Sequence, residues 1–171
     1  MKKSMVCLLA AGLLLIMALT GCGGKKVEVK LLPEKAHLGF ADGVVVEPDK
    51  PPYNLGGWRG DSEPMWKVEI PQAGMYKVSL EYSRPGQTDK AKGIISLDHD
   101  KYDSHELNFT VRSTGKNDGD WSVYQIHEIG GAYLEAGTWQ LSIKPNWGDA
   151  YSGVDYFINL RSVTLKLEKE K

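Results

Sequence analysis

Apolar residues alternate with polar ones over short runs along most of the chain, and this two-residue period constrains the fold more than any other feature. Successive side chains of a strand point to opposite faces, so each run has one face for a core and one for water, as in antiparallel sheets. The clearest runs are Trp66-Val68-Ile70, Tyr76-Val78-Leu80-Tyr82, Leu107-Phe109-Val111, Trp139-Leu141-Ile143 and Val163-Leu165-Leu167. Less regular runs predict strands at 27–32, 44–47, 93–98, 123–129 and 132–134. About ten strands without helical periodicity predict an all-β sandwich.

The turns at 71–74 and 135–137 are short enough to predict that the strands on either side pair as antiparallel neighbours. Each turn contains Ala-Gly, which lets the chain reverse tightly and puts Tyr76 and Trp139 at core-facing positions. Longer polar and aromatic connections lie at 47–64, 83–92, 113–120 and 145–156. Connections of this kind gather at the ends of a sandwich or over one face, where we expect the function to reside.

The N-terminal segment resembles the signal of a bacterial lipoprotein. Two lysines precede an apolar run from Val6 to Leu19, which is too short for a stable membrane span. The run ends in Leu19-Thr20-Gly21-Cys22, which resembles a lipobox. The resemblance implies cleavage before Cys22 and lipid such as palmitate on its sulfur, each buried CH₂ contributing about 0.8 kcal/mol of anchoring. The alternatives are an ordinary signal peptide cut near Gly21 and an uncleaved anchor helix.

These features divide the chain into a signal peptide (1–21), a lipidated N-terminus with a short linker (22–30), one sandwich domain (31–167) and a charged tail (168–171). Removing 21 of the 171 residues leaves 150, which is enough for one domain with a core. The formal charge of −1 loses two lysines with the signal and becomes −3, with both signs interspersed, so nucleic acid is not an expected partner. The two cysteines, Cys7 and Cys22, both precede the domain, which therefore has no predicted disulfide or thiolate metal site.

Several short motifs occur in an order that resembles carbohydrate-binding modules of families 6 and 35. The motifs are Trp66 to Val78 with its Ala-Gly-x-Tyr, Thr114-Gly115 followed by Asp120-Trp121, Leu134 to Leu141, and Asn159 to Leu165. The segments 36–39 and 54–58 are similar to related modules found beside fucosidases and other polysaccharide-degrading enzymes. The resemblance covers residues 31 to 167. It implies a galactose-binding-like jelly roll.

The resemblance also implies a carbohydrate site in the loops. Sugar recognition needs a flat apolar surface for the pyranose and polar side chains for its hydroxyls. In the modules, these come from an early-loop aromatic, a tryptophan near the Thr-Gly motif and an asparagine before the last strand. Trp121 matches the tryptophan, Tyr53 or Trp58 would be the early ring, and Asn146 or Asn159 the asparagine. Alternatively, Trp121 covers the core edge at the start of a strand and Trp58 forms a lid over the end of the sandwich.

A second group of suitable side chains lies just before the final strand. Asn146, Trp147, Asp149 and Tyr151 combine an amide, two rings and a carboxylate within six residues. They are candidate carbohydrate ligands. The alternative is that a loop rich in Asn, Gly and Asp only turns the chain.

Many of the resembling modules bind a structural calcium through a glutamate in the first strand and an aspartate in the last. Glu34 or Glu47 would be the glutamate here. Arg161 stands where the aspartate often stands, and a guanidinium beside a cation is unfavourable. Arg161 therefore argues against the structural calcium, and we expect no other cofactor.

One dense polar cluster is a candidate for catalysis. Two histidines and four acids lie between residues 98 and 106, and they form either a metal or acid–base site or the polar tip of a hairpin. The sequence contains no Ser-His-Asp spacing, phosphate loop or zinc signature. We therefore do not expect an enzyme.

The sequence predicts a lipid-anchored, non-catalytic carbohydrate-binding protein of the cell envelope, on its periplasmic or extracellular face. Its expected partners are a glycan, the membrane that holds the lipid, and envelope proteins or glycosidases. The first alternative is an envelope protein–protein interaction module on the same sandwich. The second is a small hydrolase.

Overall fold

The computed structural model describes residues 26–39, 41, 43–86, 91–117, 119–146 and 156–168. Within them lie ten strands: β1 (Glu28–Leu31), β2 (Val45–Glu47), β3 (Asn54–Gly56), β4 (Met65–Ile70), β5 (Gly74–Ser83), β6 (Lys92–Asp98), β7 (His105–Thr110), β8 (Gln125–Leu134), β9 (Gly137–Pro145) and β10 (Asn159–Leu167). A 3-10 turn follows β1 at Pro33–Lys35. None of the helical structure in these ranges is long and apolar enough to cross a membrane. The predicted lipid site Cys22 and the loop residues Trp147, Asp149 and Tyr151 lie outside the described residues.

Antiparallel pairing arranges the strands in two sheets that pack face to face. The six-stranded sheet has the order β2-β3-β10-β5-β8, with β1 also paired to β10, and the four-stranded sheet has the order β4-β9-β6-β7. Residues of the alternating runs fill the space between the sheets, where Trp66 is 2% exposed and both Leu80 and Ile143 are 0% exposed. The predicted all-β sandwich is confirmed.

Both predicted hairpins at the Ala-Gly turns are wrong. β4 pairs with β9, whereas β5 pairs with β8 and β10, so the turn after β4 leads from one sheet to the other. The turn between β8 and β9 makes the same change of sheet. A short turn can join two strands side by side or across a core, and here face-to-face packing buries the apolar sides of both strands. Tyr76 and Trp139 are 0% and 1% exposed, so their predicted place in the core is confirmed.

The glycines of these two turns suit the change of sheet. Gly137 has a φ of 140°, which other residues rarely adopt. A Cβ atom at Gly74 would lie 2.5 Å from Cδ1 of Leu167. The repeated Ala-Gly motif therefore marks corners of this sandwich.

Three further strand predictions can be compared with the structure. The runs 123–129 and 132–134 belong to one strand, β8, whose register with β5 shifts between Val78 and Ser79 because β8 bulges there and interrupts its alternation. β3 lies in a segment predicted as a connection. It was not predicted as a strand because three residues are too few to show alternation. β6 and β7 form a true hairpin, which confirms that the polar cluster near residue 100 occupies a hairpin tip.

The sandwich has two distinct ends. The loop end contains 57–64, 84–86, 111–117, 119–124 and 156–158, while the corner end contains 71–73, 99–104 and 135–136. β1 starts at the corner end, because Glu28 pairs with Lys166 and Lys166 pairs with Lys77 near the start of β5. The first described strand therefore begins at the end opposite the long loops.

Candidate functional site

Strand register brings the long loops together at the loop end. In the six-stranded sheet, the end of β5 meets the starts of β10 and β8, since Ser83 pairs with Asn159 and Tyr82 with Gln125. In the four-stranded sheet, the start of β6 meets the ends of β7 and β9. Residues far apart in sequence are therefore neighbours at this end.

Arg84 holds the loops to one another. Its backbone N–H donates to Oγ1 of Thr114 at 2.9 Å, and its carbonyl accepts from the backbone N–H groups of Thr114 and Gly115 at 2.8 and 3.2 Å. Its Nη1 donates to the carbonyl of Phe157 at 2.7 Å, and the residue is only 5% exposed. The Thr-Gly motif thus has a structural role, because it completes the hydrogen bonds of a buried backbone segment.

Two aromatic rings and two guanidinium groups form the candidate site, which we call the aromatic site: Trp121, Tyr156, Arg59 and Arg84. The rings of Trp121 and Tyr156 meet edge to face, with centroids 6.2 Å apart and planes at 83°. Cζ of Arg59 lies 3.9 Å from the centroid of Tyr156, and Cζ of Arg84 lies 6.0 Å from that of Trp121. Tyr156 is 41% exposed and Trp121 is half-buried, so solvent reaches both side chains.

Loop hydrogen bonds fix the position of Trp121 in this group. Oγ of Ser83, the last residue of β5, donates to the carbonyl of Trp121 at 2.6 Å. Asp120 accepts from the backbone N–H and the hydroxyl of Ser122, which closes the turn next to Trp121. A half-exposed ring on a fixed backbone can stack on the apolar face of a flat ligand with little loss of entropy, while the exposed guanidinium of Arg59 can supply hydrogen-bond donors.

Trp58 does not belong to the aromatic site, and its prediction as a carbohydrate contact is wrong. The side chain is 0% exposed, its Nε1 donates to the carbonyl of Ser62 at 2.9 Å, and its ring meets Phe157 edge to face at 5.3 Å. A ring that is fully enclosed has no face left for a sugar. The alternative interpretation of Trp58, a lid over the end of the sandwich, fits this position.

Asn159 lies in a different group, on the outer face of the six-stranded sheet. It hydrogen-bonds to Tyr124, whose pKa is raised by burial and lowered in part by nearby Arg161. The guanidinium of Arg161 lies 3.5 Å from the centroid of Tyr124 and 3.5 Å from the Glu81 carboxylate. Glu47 accepts a hydrogen bond from the Asn54 amide at 3.1 Å.

The remaining sequence candidates are dispersed. Tyr53 is half-buried before β3, and no ring contact in the described ranges joins it to Trp121 or Tyr156. Asn146 follows β9, where its backbone N–H donates to the carbonyl of Lys92 at 2.8 Å. Glu34 is exposed in the 3-10 turn.

The hairpin tip gathers rings without forming a metal site. His99 and His105 pack on the buried Trp139, with centroids 4.9 and 5.8 Å away, and Tyr102 lies 4.5 Å from His99. Nδ1 of His99 accepts from the backbone N–H of Lys101 at 3.0 Å. Among the described residues, no group of three or more His, Cys, Asp or Glu side chains is arranged to hold a metal ion.

Sequence reasoning missed Arg59, Arg84 and Tyr156 as members of the aromatic site. Each stands beside a strand or within a polar loop, without a motif that distinguishes it. Their association depends on three different loops meeting at one end of the sandwich. Only the order of strands in the two sheets carries that information.

The sandwich is a jelly roll similar to solved carbohydrate-binding modules. The C-terminal CBM6 of LamC from Zobellia galactanivorans has 16% identity and a TM-score of 0.61, with 82% of this chain and 99% of that chain covered. CBM6cm-2 from Cellvibrio mixtus lichenase 5A, in complex with cellotriose, has 17% identity and a TM-score of 0.58, with 82% and 98% covered. The GH26-CBM35 β-(1,4)-mannanase of Podospora anserina has 17% identity and a TM-score of 0.56. The match covers 84% of this chain but only 28% of the mannanase chain. The sequence matches no protein-family model and no curated protein.

Proposed function

We propose that this chain is a lipid-anchored, non-catalytic carbohydrate-binding protein of the cell envelope and that its ligand stacks at the aromatic site. The observation that supports this most strongly is the solvent-accessible pair of Trp121 and Tyr156, flanked by two guanidinium groups at the loop end. Stacking on rings and hydrogen bonding to fixed polar groups is how proteins hold sugars. A shallow site of this size favours weak binding, in roughly the micromolar to millimolar range.

The position at which β1 begins suits this role. If acyl chains on Cys22 anchor the protein, the membrane lies beyond the corner end, where β1 begins. β10 has nine residues and spans about 30 Å at ~3.3 Å per residue. The aromatic site would then face away from the lipid, toward polymer outside the membrane.

The test of ligand binding uses the purified full chain in detergent and a glycan array that includes cellotriose, the ligand of CBM6cm-2. We expect at least one glycan to bind and Trp121→Ala to weaken it about tenfold or more, which corresponds to ~1.4 kcal/mol. Tyr102→Ala is the matched control, because Tyr102 is 46% exposed but lies at the corner end. Binding to no glycan, or equal losses in the two variants, would refute the proposal.

The anchor is tested separately by mass spectrometry of the protein from membranes. We expect the mature N-terminus to be an acylated Cys22, and Cys22→Ser to move the protein out of the membrane fraction. An unmodified Cys22, or membrane association that survives the substitution, would contradict lipid anchoring without affecting the sugar site.

A further inference from the structure

Strand β8 forms a long edge of the six-stranded sheet. Nine of its ten residues pair with β5 on one side. On the other side, no backbone hydrogen bond to any described residue satisfies its N–H and C=O groups. An edge of this length is a template for another strand, and proteins usually shield it with charge, proline or a covering loop.

The bulge in β8 gives this edge an unusual symmetry. Val78 pairs with Gly130 and Ser79 with Glu128, so Ile129 is the extra residue near the middle of the strand. On one side of the bulge, Ile126 and Glu128 face outward, and on the other side Gly131 and Tyr133 do. Counted from the midpoint between Ile129 and Gly130, the outward residues on the two sides therefore lie at equal distances along the strand: Glu128 matches Gly131, and Ile126 matches Tyr133.

We propose that β8 pairs antiparallel with β8 of a second copy of this chain, about a two-fold axis between Ile129 and Gly130. This register places outward residues opposite outward residues and joins the two six-stranded sheets into one. Ile126 then lies opposite the partner's Tyr133, and the same contact repeats on the other side of the axis.

This pairing covers the most exposed apolar side chains of the sheet. Ile126 is 72% exposed and Tyr133 is 50% exposed, although both are large and apolar. Met75, which is 44% exposed, pairs with Tyr133 within the chain and would extend the contact. An aromatic opposite a β-branched side chain is a favourable cross-strand pair.

The charges near the axis are complementary in the same register. Glu128 would lie opposite the partner's Gly131, which has no side chain. The Glu128 carboxylate could therefore reach the partner's Lys77, because Lys77 pairs with Gly131 within each chain. Within one chain, Lys77 already contacts Glu128 at 3.3 Å, and both side chains remain substantially exposed, at 43% and 59%. Each Glu128 would thus lie between two lysines, so the signs alternate across the interface.

Sedimentation of the full chain in detergent tests the dimer. We expect the unsubstituted protein to dimerise and Ile126→Glu to raise the dimer dissociation constant at least tenfold, with an unchanged circular dichroism spectrum. Val45→Glu is the matched control, since Val45 is 49% exposed on β2, the opposite edge of the same sheet. A monomeric protein, or equal weakening by both substitutions, would overturn the proposal.

Thiol cross-linking tests the register. In the proposed register, residue 126 of each copy lies opposite residue 133 of the other copy. Residues 126 and 133 are seven positions apart on one strand, so the two copies of residue 126 are about 23 Å apart at ~3.3 Å per residue. A short bismaleimide cannot reach across that distance. The double variant Ile126→Cys/Tyr133→Cys should give a cross-linked dimer, while either single variant should match the background of the unsubstituted chain. Cross-linking by a single variant as efficient as by the double would mean another register and would overturn the proposal.

Discussion

Replacing Trp58 separates a structural role from a ligand-binding role. The side chain is 0% exposed, contacts Phe157 edge to face and donates a hydrogen bond to the Ser62 carbonyl. Replacing a buried aromatic residue by alanine costs about 3–5 kcal/mol, and the lost hydrogen bond adds about 1 kcal/mol. Trp58→Ala should therefore lower the free energy of unfolding by about 4–6 kcal/mol, a large part of the ~5–15 kcal/mol that a domain has.

The assay is urea unfolding of the full chain followed by circular dichroism. Trp58→Phe keeps an aromatic ring and loses the N–H donor and some volume, so it should cost about 1–3 kcal/mol and stay measurable if the alanine variant fails to fold. Val45→Ala, at a 49% exposed position, should change the free energy of unfolding by less than about 0.5 kcal/mol. A cost below about 1 kcal/mol for Trp58→Ala, with glycan binding lost, would refute the placement of Trp58 in the core and restore it as a ligand contact.

Three further outcomes follow from single contacts. Gly93→Ala should cost about 1–3 kcal/mol of unfolding free energy, because the added Cβ would collide with the Phe109 ring; an unchanged urea midpoint would contradict this. Thr114→Val should cost about 1–2 kcal/mol, because it removes the hydroxyl that bonds both the N–H and the C=O of Arg84; an unaltered midpoint would contradict that role. Burial, together with the nearby charge of Arg112, lowers the pKa of His127 from its ordinary value of 6.5. As the pH falls below 6.5, the unfolded chain therefore takes up a proton that the folded chain does not. The free energy of unfolding should fall between pH 6.5 and the lowered pKa. His127→Gln should reduce that loss, and an identical pH dependence of the urea midpoint in both proteins would contradict the assignment.

Local patterns in this chain predict strands well, because burying one face of a strand imposes a two-residue period on the sequence itself. The Trp66 and Tyr76 runs each became one strand within a residue or two of the expected bounds. The sheet to which each strand belongs was not predictable in the same way. The three residues between β4 and β5 suit a hairpin or a corner equally, and the choice depends on the burial of both strands against the rest of the chain.

The aromatic site shows the same division between local and long-range information. Trp121 was predicted as a site residue because it stands near a recognisable Thr-Gly motif. Trp58 was misjudged because its burial depends on Phe157, which comes from another loop far along the chain. Tyr156 and Arg59 could not be associated in advance, since their contact exists only after β3 and β10 have paired.

The indole N–H resonances of the five tryptophans test the aromatic site most directly. Trp58, Trp66 and Trp139 donate their Nε1–H groups to backbone carbonyls at 2.9 Å and are at most 2% exposed. In a titration of the ¹⁵N-labelled full chain in detergent with a glycan that binds it, we expect the Trp121 signal to shift while these three stay in place. A bound glycan that leaves the Trp121 signal unchanged, or shifts only the enclosed three, would contradict ligand binding at the aromatic site.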